Sequence, residues 1–150
     1  QIYLLSYTFM NFGAFALVIF LESRGYAGES IDDWKGLARR NPLLAGVMLI
    51  FLLSLAGIPT TGGFVGKYFL FAVAMRSGYT GLAILAVLAS AVSLFYYFRI
   101  VMAMYLSEGE AAPLESSPGL AFSAAVCAVM TMVIGLAPQK FIVLIERCGL

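Results

Sequence analysis

Residues 43–75 form an apolar run carrying one charge, Lys67, and the length of that run constrains the fold more than any other feature. An unbroken helix over residues 42–75 would measure about 50 Å, against a hydrocarbon core of about 30 Å. Two full crossings would leave each half too short. The centre of the run removes the conflict, reading Gly57-Ile58-Pro59-Thr60-Thr61-Gly62-Gly63. Proline removes a backbone donor and clashes with the preceding turn, and glycine adds backbone freedom. Thr60 and Thr61 bring hydroxyls that can satisfy the freed backbone groups locally, as a break at membrane depth requires. These features predict one crossing built from two half-helices, residues 43–56 and 63–76, joined by an unwound stretch. A re-entrant pair returning to its starting side is the alternative.

The rest of the chain divides in the same way. Residues 1–21 form an uncharged apolar run of transmembrane length. Residues 22–41 are polar and locally balanced, with Glu22, Glu29, Asp32 and Asp33 against Arg24, Lys35, Arg39 and Arg40. Here Ser30 or Asp32 can cap a short interfacial helix through Trp34 to Arg39, with Trp34 at headgroup depth; a plain polar connection fits equally well. The broken crossing occupies residues 42–77 and a further crossing residues 79–106. An acidic loop follows at 107–119, with Glu108, Glu110, Pro113, Glu115 and Pro118, then a last crossing at 120–137. Residues 138–150 form a tail that either extends this helix or lies at the interface. Charged residues make up 11% of the chain, where soluble domains carry about 25%. The expected fold is therefore all-α integral membrane, with four crossings, one discontinuous between Gly57 and Gly63. Lys35, Arg39 and Arg40 favour a cytoplasmic or matrix position for the first loop, although the acidic loop on the same side adds no support.

Several classes of function fall away. A net charge of +1 without a basic patch gives no nucleic-acid footprint. Cys127 and Cys148 have neither metal-ligand nor disulfide-framework spacing. With histidine absent, the usual imidazole ligands of haem, zinc and iron are missing, and neither a metal nor a cofactor site is expected in this segment. Proton chemistry falls to Lys, carboxylates, Tyr, Ser, Thr or water. Gln1 lies within an apolar stretch with no initiator Met and no signal-peptide pattern, so the chain reads as a piece of a longer polytopic protein.

Lys67 is the leading candidate residue. A lysine far from both surfaces faces a bundle interior or a wet cavity, because an ammonium in hydrocarbon costs about 2.5–3.5 kcal/mol even on insertion scales. There it can exchange a proton as hydration or a neighbouring charge changes. A structural ion pair with an acid elsewhere in the parent protein is the rival. The positive end of the second half-helix points toward the break, a charge unfavourable to an ammonium nearby. Ser54, Thr60 and Thr61 around the break, and Ser90, Ser93 and Tyr97 on one face of the next helix, can line a hydrated path. Packing of small residues and an aromatic belt explain the last three equally well. Arg99 can snorkel to a headgroup or an inter-subunit contact. Asn11, one turn after Tyr7, needs a partner in hydrocarbon and so faces protein or water. Gly62 and Gly66 have a spacing that allows close helix packing.

Ser54-Leu55-Ala56-Gly57-Ile58-Pro59 followed by Gly62-Gly63-Phe64-Val65-Gly66-Lys67 resembles the signature of the antiporter-like membrane subunits of respiratory complex I. The subunit N branch, counterpart of NADH dehydrogenase subunit 2, is the most similar. Tyr96-Tyr97-Phe98-Arg99 after Ser93, together with Gly36-Leu37 and Pro42, fits the same family. Thr60-Thr61 departs from it, standing where many relatives carry a second proline or another small residue. The resemblance implies that this is the last part of a larger bundle and that Lys67 relays protons in a broken helix. It implies partners in the upstream part of the subunit, neighbouring membrane-arm subunits and lipid. NAD, FMN, iron-sulfur clusters and quinone would lie elsewhere in the complex. It also implies a bacterial inner membrane, with organellar inner or thylakoid membranes as alternatives. A cation/proton antiporter or hydrogenase membrane subunit shares the fold and remains open, as does a structural subunit with Lys67 as a strut.

Overall fold

The computed structural model describes residues 2–23, 30–109 and 118–147. Arg24, Gly25, Gly28, Glu29, Glu110, Pro113, Glu115 and Cys148 lie outside the described residues, so the acidic loop is described only at its ends. The described elements are helical: α1 (Ile2–Ser23), a 3-10 turn (Ile31–Trp34), α2 (Leu37–Arg40), α3 (Pro42–Ala56), α4 (Gly62–Arg76), α5 (Thr80–Leu106), α6 (Pro118–Leu136) and α7 (Pro138–Arg147). α1 and α5 are each long and apolar enough to span a membrane. α6 contributes a shorter apolar segment, and α3 with α4 forms the discontinuous crossing. The chain is thus an all-α membrane bundle of four crossings, the second of them broken.

Each boundary has a local cause. Asn41 accepts from the Leu44 amide at 3.1 Å and Pro42 opens α3, where its missing donor costs nothing. At the other end Gly57 adopts φ +85°. Its amide reaches the Ser54 carbonyl at 3.0 Å, and the Ile58 amide reaches the Leu53 carbonyl at 3.1 Å. This is the Schellman arrangement, which needs a left-handed residue that glycine supplies without strain. Thr60 also has positive φ, +83°, unusual for a β-branched side chain. The Thr61 hydroxyl donates to the Ile58 carbonyl at 2.7 Å, so it satisfies the freed backbone locally.

The interior lies among α1, α2, α3 and the ends of α5 and α6, around Leu17, Leu21, Leu44, Phe51, Met104 and Ala124. The Phe51 ring occupies the space a Cβ on Gly13 would need. Lipid is as apolar as these side chains, so close packing rather than escape from water rewards such contacts.

The polar stretch differs from its sequence reading. Residues 31–40 form a 3-10 turn and one α-helical turn rather than a continuous surface helix. Trp34 is 3% exposed and Leu37 1%, both inside the core cluster. The cause is a tertiary tie: the Gly36 amide donates to the Ala103 carbonyl on α5 at 3.2 Å, drawing the segment inward. Ser30 caps the 3-10 turn, accepting from the Asp32 amide at 3.2 Å, while its own amide donates to the Asp33 carboxylate.

Candidate functional site

The break creates two helix ends with unspent backbone groups, and side chains close them crosswise. In the Schellman arrangement the Leu53 and Ser54 carbonyls are used, and the carbonyl of Leu55 takes its partner from α4: Lys67 Nζ donates to it at 2.9 Å. The lysine stem runs over Gly57, where an added Cβ would stand 3.3 Å from Lys67 Cδ and 3.6 Å from Nζ. In the opposite sense, Ser54 Oγ accepts from the Gly63 amide in the first turn of α4 at 3.0 Å. Thr61, the N-cap residue itself, offers that helix no side-chain cap. Neighbouring residues of α3 thus serve both ends: Ser54 takes a donor from the start of α4, and Leu55 receives a cation from six positions into it.

The structure adds an attraction to the electrostatic picture read from sequence. The Lys67 ammonium is bonded to the C-terminal end of α3, where helix carbonyls concentrate negative partial charge. Ser54 takes one of the donors at the positive end of α4. A lysine at a helix C-terminus is a favourable cap, and here the capped helix and the lysine belong to two halves of one crossing.

Lys67 is half-buried and faces a cavity of about 200 Å³ that Tyr3, Tyr7, Ser54, Gly63, Ser90 and Tyr97 help to line. Four of the hydroxyl residues singled out from sequence (Ser54, Ser90, Ser93 and Tyr97) therefore meet at the lysine. Ser54 is fully buried and its hydroxyl donates to Met10 Sδ at 2.7 Å. Ser93 donates to the Ala89 carbonyl of its own helix at 2.9 Å. The α1 contribution of Tyr3, Tyr7 and Met10 is new. Its signal was present as a spacing of four and then three residues, which puts all three on adjoining parts of one helix face. The rings of Tyr3 and Tyr7 stack with centroids 5.7 Å apart. The Leu55 carbonyl is also new; a backbone acceptor leaves no mark in side-chain patterns.

Other candidates lie elsewhere. Thr60 and Thr61 do not line this cavity; their backbone packs against Gly135 of α6. The Asn11 amide donates to the Tyr7 carbonyl of its own helix at 2.8 Å, so its need for a partner is met without another segment. Arg99 is exposed and lines a separate cavity of about 490 Å³ with Asp32 and Lys35, whose side chains form an ion pair at 2.6 Å. Gly62, Gly63 and Gly66 let α4 approach its neighbours closely: a Cβ on Gly66 would lie 3.1 Å from the Cα of Tyr3, and one on Gly63 would collide with the Ser54 carbonyl. Among the described residues no group of three or more His, Cys, Asp or Glu is placed to hold a metal ion.

Comparison with known proteins identifies the family. Residues 1–93 match the transmembrane family described as NADH:quinone oxidoreductase/Mrp antiporter. The chain is 46% identical over 143 residues to NADH-quinone oxidoreductase subunit N 2 of Solibacter usitatus, covering 94% of this chain and 29% of that protein. It is 48% identical over 108 residues to subunit N of Trichlorobacter lovleyi, covering 72% of this chain and 22% of that protein. Among solved structures, a chain of respiratory complex I from Thermus thermophilus with bound aureothin superposes with TM-score 0.76 at 30% identity, over 92% of this chain and 32% of that one. The chain spans about three tenths of the length of such relatives. It is a multi-pass integral membrane protein, and the relatives named here are bacterial. On the family match and the identity over most of its length, the chain belongs to the NADH:quinone oxidoreductase/Mrp antiporter transmembrane family.

Proposed function

We propose that this chain forms part of a proton-translocating subunit in the membrane arm of an NADH:quinone oxidoreductase, and that Lys67 is the proton relay within it. One observation carries the reading: the lysine stands at a gap in a membrane helix, bonded to a carbonyl that the gap leaves free and facing a hydroxyl-lined cavity. Protonated, Lys67 caps α3 through Leu55. When the proton leaves, the amine loses its charge and most of its attraction to that carbonyl, and can turn to the Tyr7, Ser90 and Tyr97 side of the cavity. Proton transfer is thereby coupled to how firmly the two half-helices are tied. NAD, FMN, iron-sulfur clusters and quinone belong to other parts of such a complex. The upstream part of the same subunit, the neighbouring membrane-arm subunits and lipid are its expected surroundings.

The test is Lys67→Met in the full complex, reconstituted in sealed vesicles, with quinone reduction and proton uptake followed together. The reading expects normal assembly and depressed proton translocation. Undiminished pumping by an assembled Lys67→Met complex would overturn it. The Leu55 bond also favours a second reading, a purely structural strut, which expects failed assembly and normal transport in whatever survives. The family match includes cation antiporters; transport that depends on sodium would favour that member of the family over a proton-only subunit.

A further inference from the structure

Ser6 stands out in the packed interior. Its hydroxyl is fully buried and, among the described residues, has no hydrogen-bond partner. A buried hydroxyl gives up its bonds to solvent and is ordinarily paired with protein or with an ordered water. The position of this one is specific. A Cβ built on Gly62 would stand 3.3 Å from Ser6 Oγ and 3.0 Å from the Thr131 carbonyl oxygen, so hydroxyl and carbonyl meet at the first residue of α4. The opening amides of a helix have no acceptor within it, and Ser54 takes only that of Gly63. The Thr131 carbonyl keeps a second lone pair beyond its bond along α6. The first residue of α4, an acceptor from α6 and a hydroxyl from α1 that can act either way thus lie together at one buried point.

We propose that Ser6, the N-terminus of α4 at Gly62 and the Thr131 carbonyl bind a single buried water. The charges around the point select a neutral ligand. A helix N-terminus repels a sodium or potassium ion, and a carbonyl oxygen repels an anion. Water donates to the carbonyl and accepts from the amide, and a buried water with about three such bonds is the usual occupant of a polar interior site.

The role of this water rests on the proton-relay reading. Tyr3 and Met10 line the lysine cavity. Ser6 lies between them along α1, opposite the bare surface of Gly62, Gly63 and Gly66. Gly63, next to Gly62, itself lines that cavity, so the proposed water lies one residue behind its wall. A proton leaving Lys67 through cavity water thus has a next station toward α6. The bound water takes up one proton as it passes another on, and is neutral again after each transfer.

A structure of the full-length subunit within its complex, at a resolution that shows ordered water, tests this. An oxygen is expected about 2.7–3.2 Å from both Ser6 Oγ and the Thr131 oxygen. Ser6→Ala should abolish it and slow proton translocation, with quinone reduction uncoupled from pumping retained. Finding the wild-type Ser6 hydroxyl bonded directly to a carbonyl with no water beside it would overturn the site, as would a bound cation there or a water that survives Ser6→Ala. The wild-type density needs no variant to fold. It is also independent of the relay reading: an ordered water alongside normal pumping by Lys67→Met would keep the site and remove the lysine.

Discussion

At the scale of single residues, the break is held by four positions with different liabilities. Ser54 is buried and accepts from the Gly63 amide, so Ser54→Ala should leave that donor unpaired and cost about 1–3 kcal/mol. The same change leaves Lys67 on its carbonyl, so thermal melting should fall more than proton transfer does. Gly57 has φ +85°; alanine there should cost about 1–2 kcal/mol, the usual penalty of a side chain in the left-handed region. It would also crowd the Lys67 stem, 3.3 Å from the new methyl. Thr60, at φ +83°, predicts the opposite sign. Thr60→Gly removes that strain and loses only about 0.5–1 kcal/mol of glycine entropy, so the melting temperature should hold or rise. A clear drop would mean the threonine side chain makes a contact that outweighs its backbone cost. Lys67 itself was legible as a lone cation in a 33-residue run. Its partner was not, because a main-chain carbonyl becomes available only through how the helix ends.

At the scale of elements, the Gly-Pro-Gly punctuation told where α3 stops and α4 starts, since φ preferences and missing donors are properties of residues. It did not tell which face of α4 meets which helix. The segment 31–40 shows the limit most clearly. Its sequence fitted a short interfacial helix or a plain polar connection equally well, whereas a hydrogen bond from Gly36 to α5 folds it against the core. Its surface end keeps an ion pair with a pH signature. The Lys35 ammonium, by hydrogen bond and charge, holds the Asp32 carboxyl below the usual carboxylate range, and Arg99 adds a smaller pull. A lowered folded-state value means the contribution is complete above the unfolded pKa. It is then lost as the pH falls through the folded one. Asp32→Asn should therefore flatten the acid side of the stability profile below about pH 4, with a small loss of stability at neutral pH and none at the acid end. The effect should shrink in high salt, as fits an exposed pair.

At the scale of the whole molecule, α5 is nearly bare: 6% of its most apolar window is buried by the described chain. Leu85, Leu88, Val92, Phe95 and Tyr96 all face outward. A surface of that kind requires lipid or further helices. The protein should therefore resist extraction from membranes by alkaline carbonate and come out only with detergent; release without detergent would contradict the membrane assignment.

Run length, the absence of charge and the Gly57–Gly63 punctuation determined from sequence alone that the chain is an all-α membrane bundle whose second apolar run is interrupted, read as a broken crossing with a re-entrant pair as the alternative. These follow from hydrocarbon thickness and backbone stereochemistry, which act residue by residue. Only the tertiary structure decided that Lys67 bonds to Leu55, that Ser54 serves the opposite helix end, that Tyr3 and Tyr7 complete the cavity, and that Trp34 turns inward. Each of those depends on which helix faces meet, and in an apolar medium that choice is made by shape and by unspent backbone hydrogen bonds. Hydrophobic pattern cannot encode it when nearly every face is apolar.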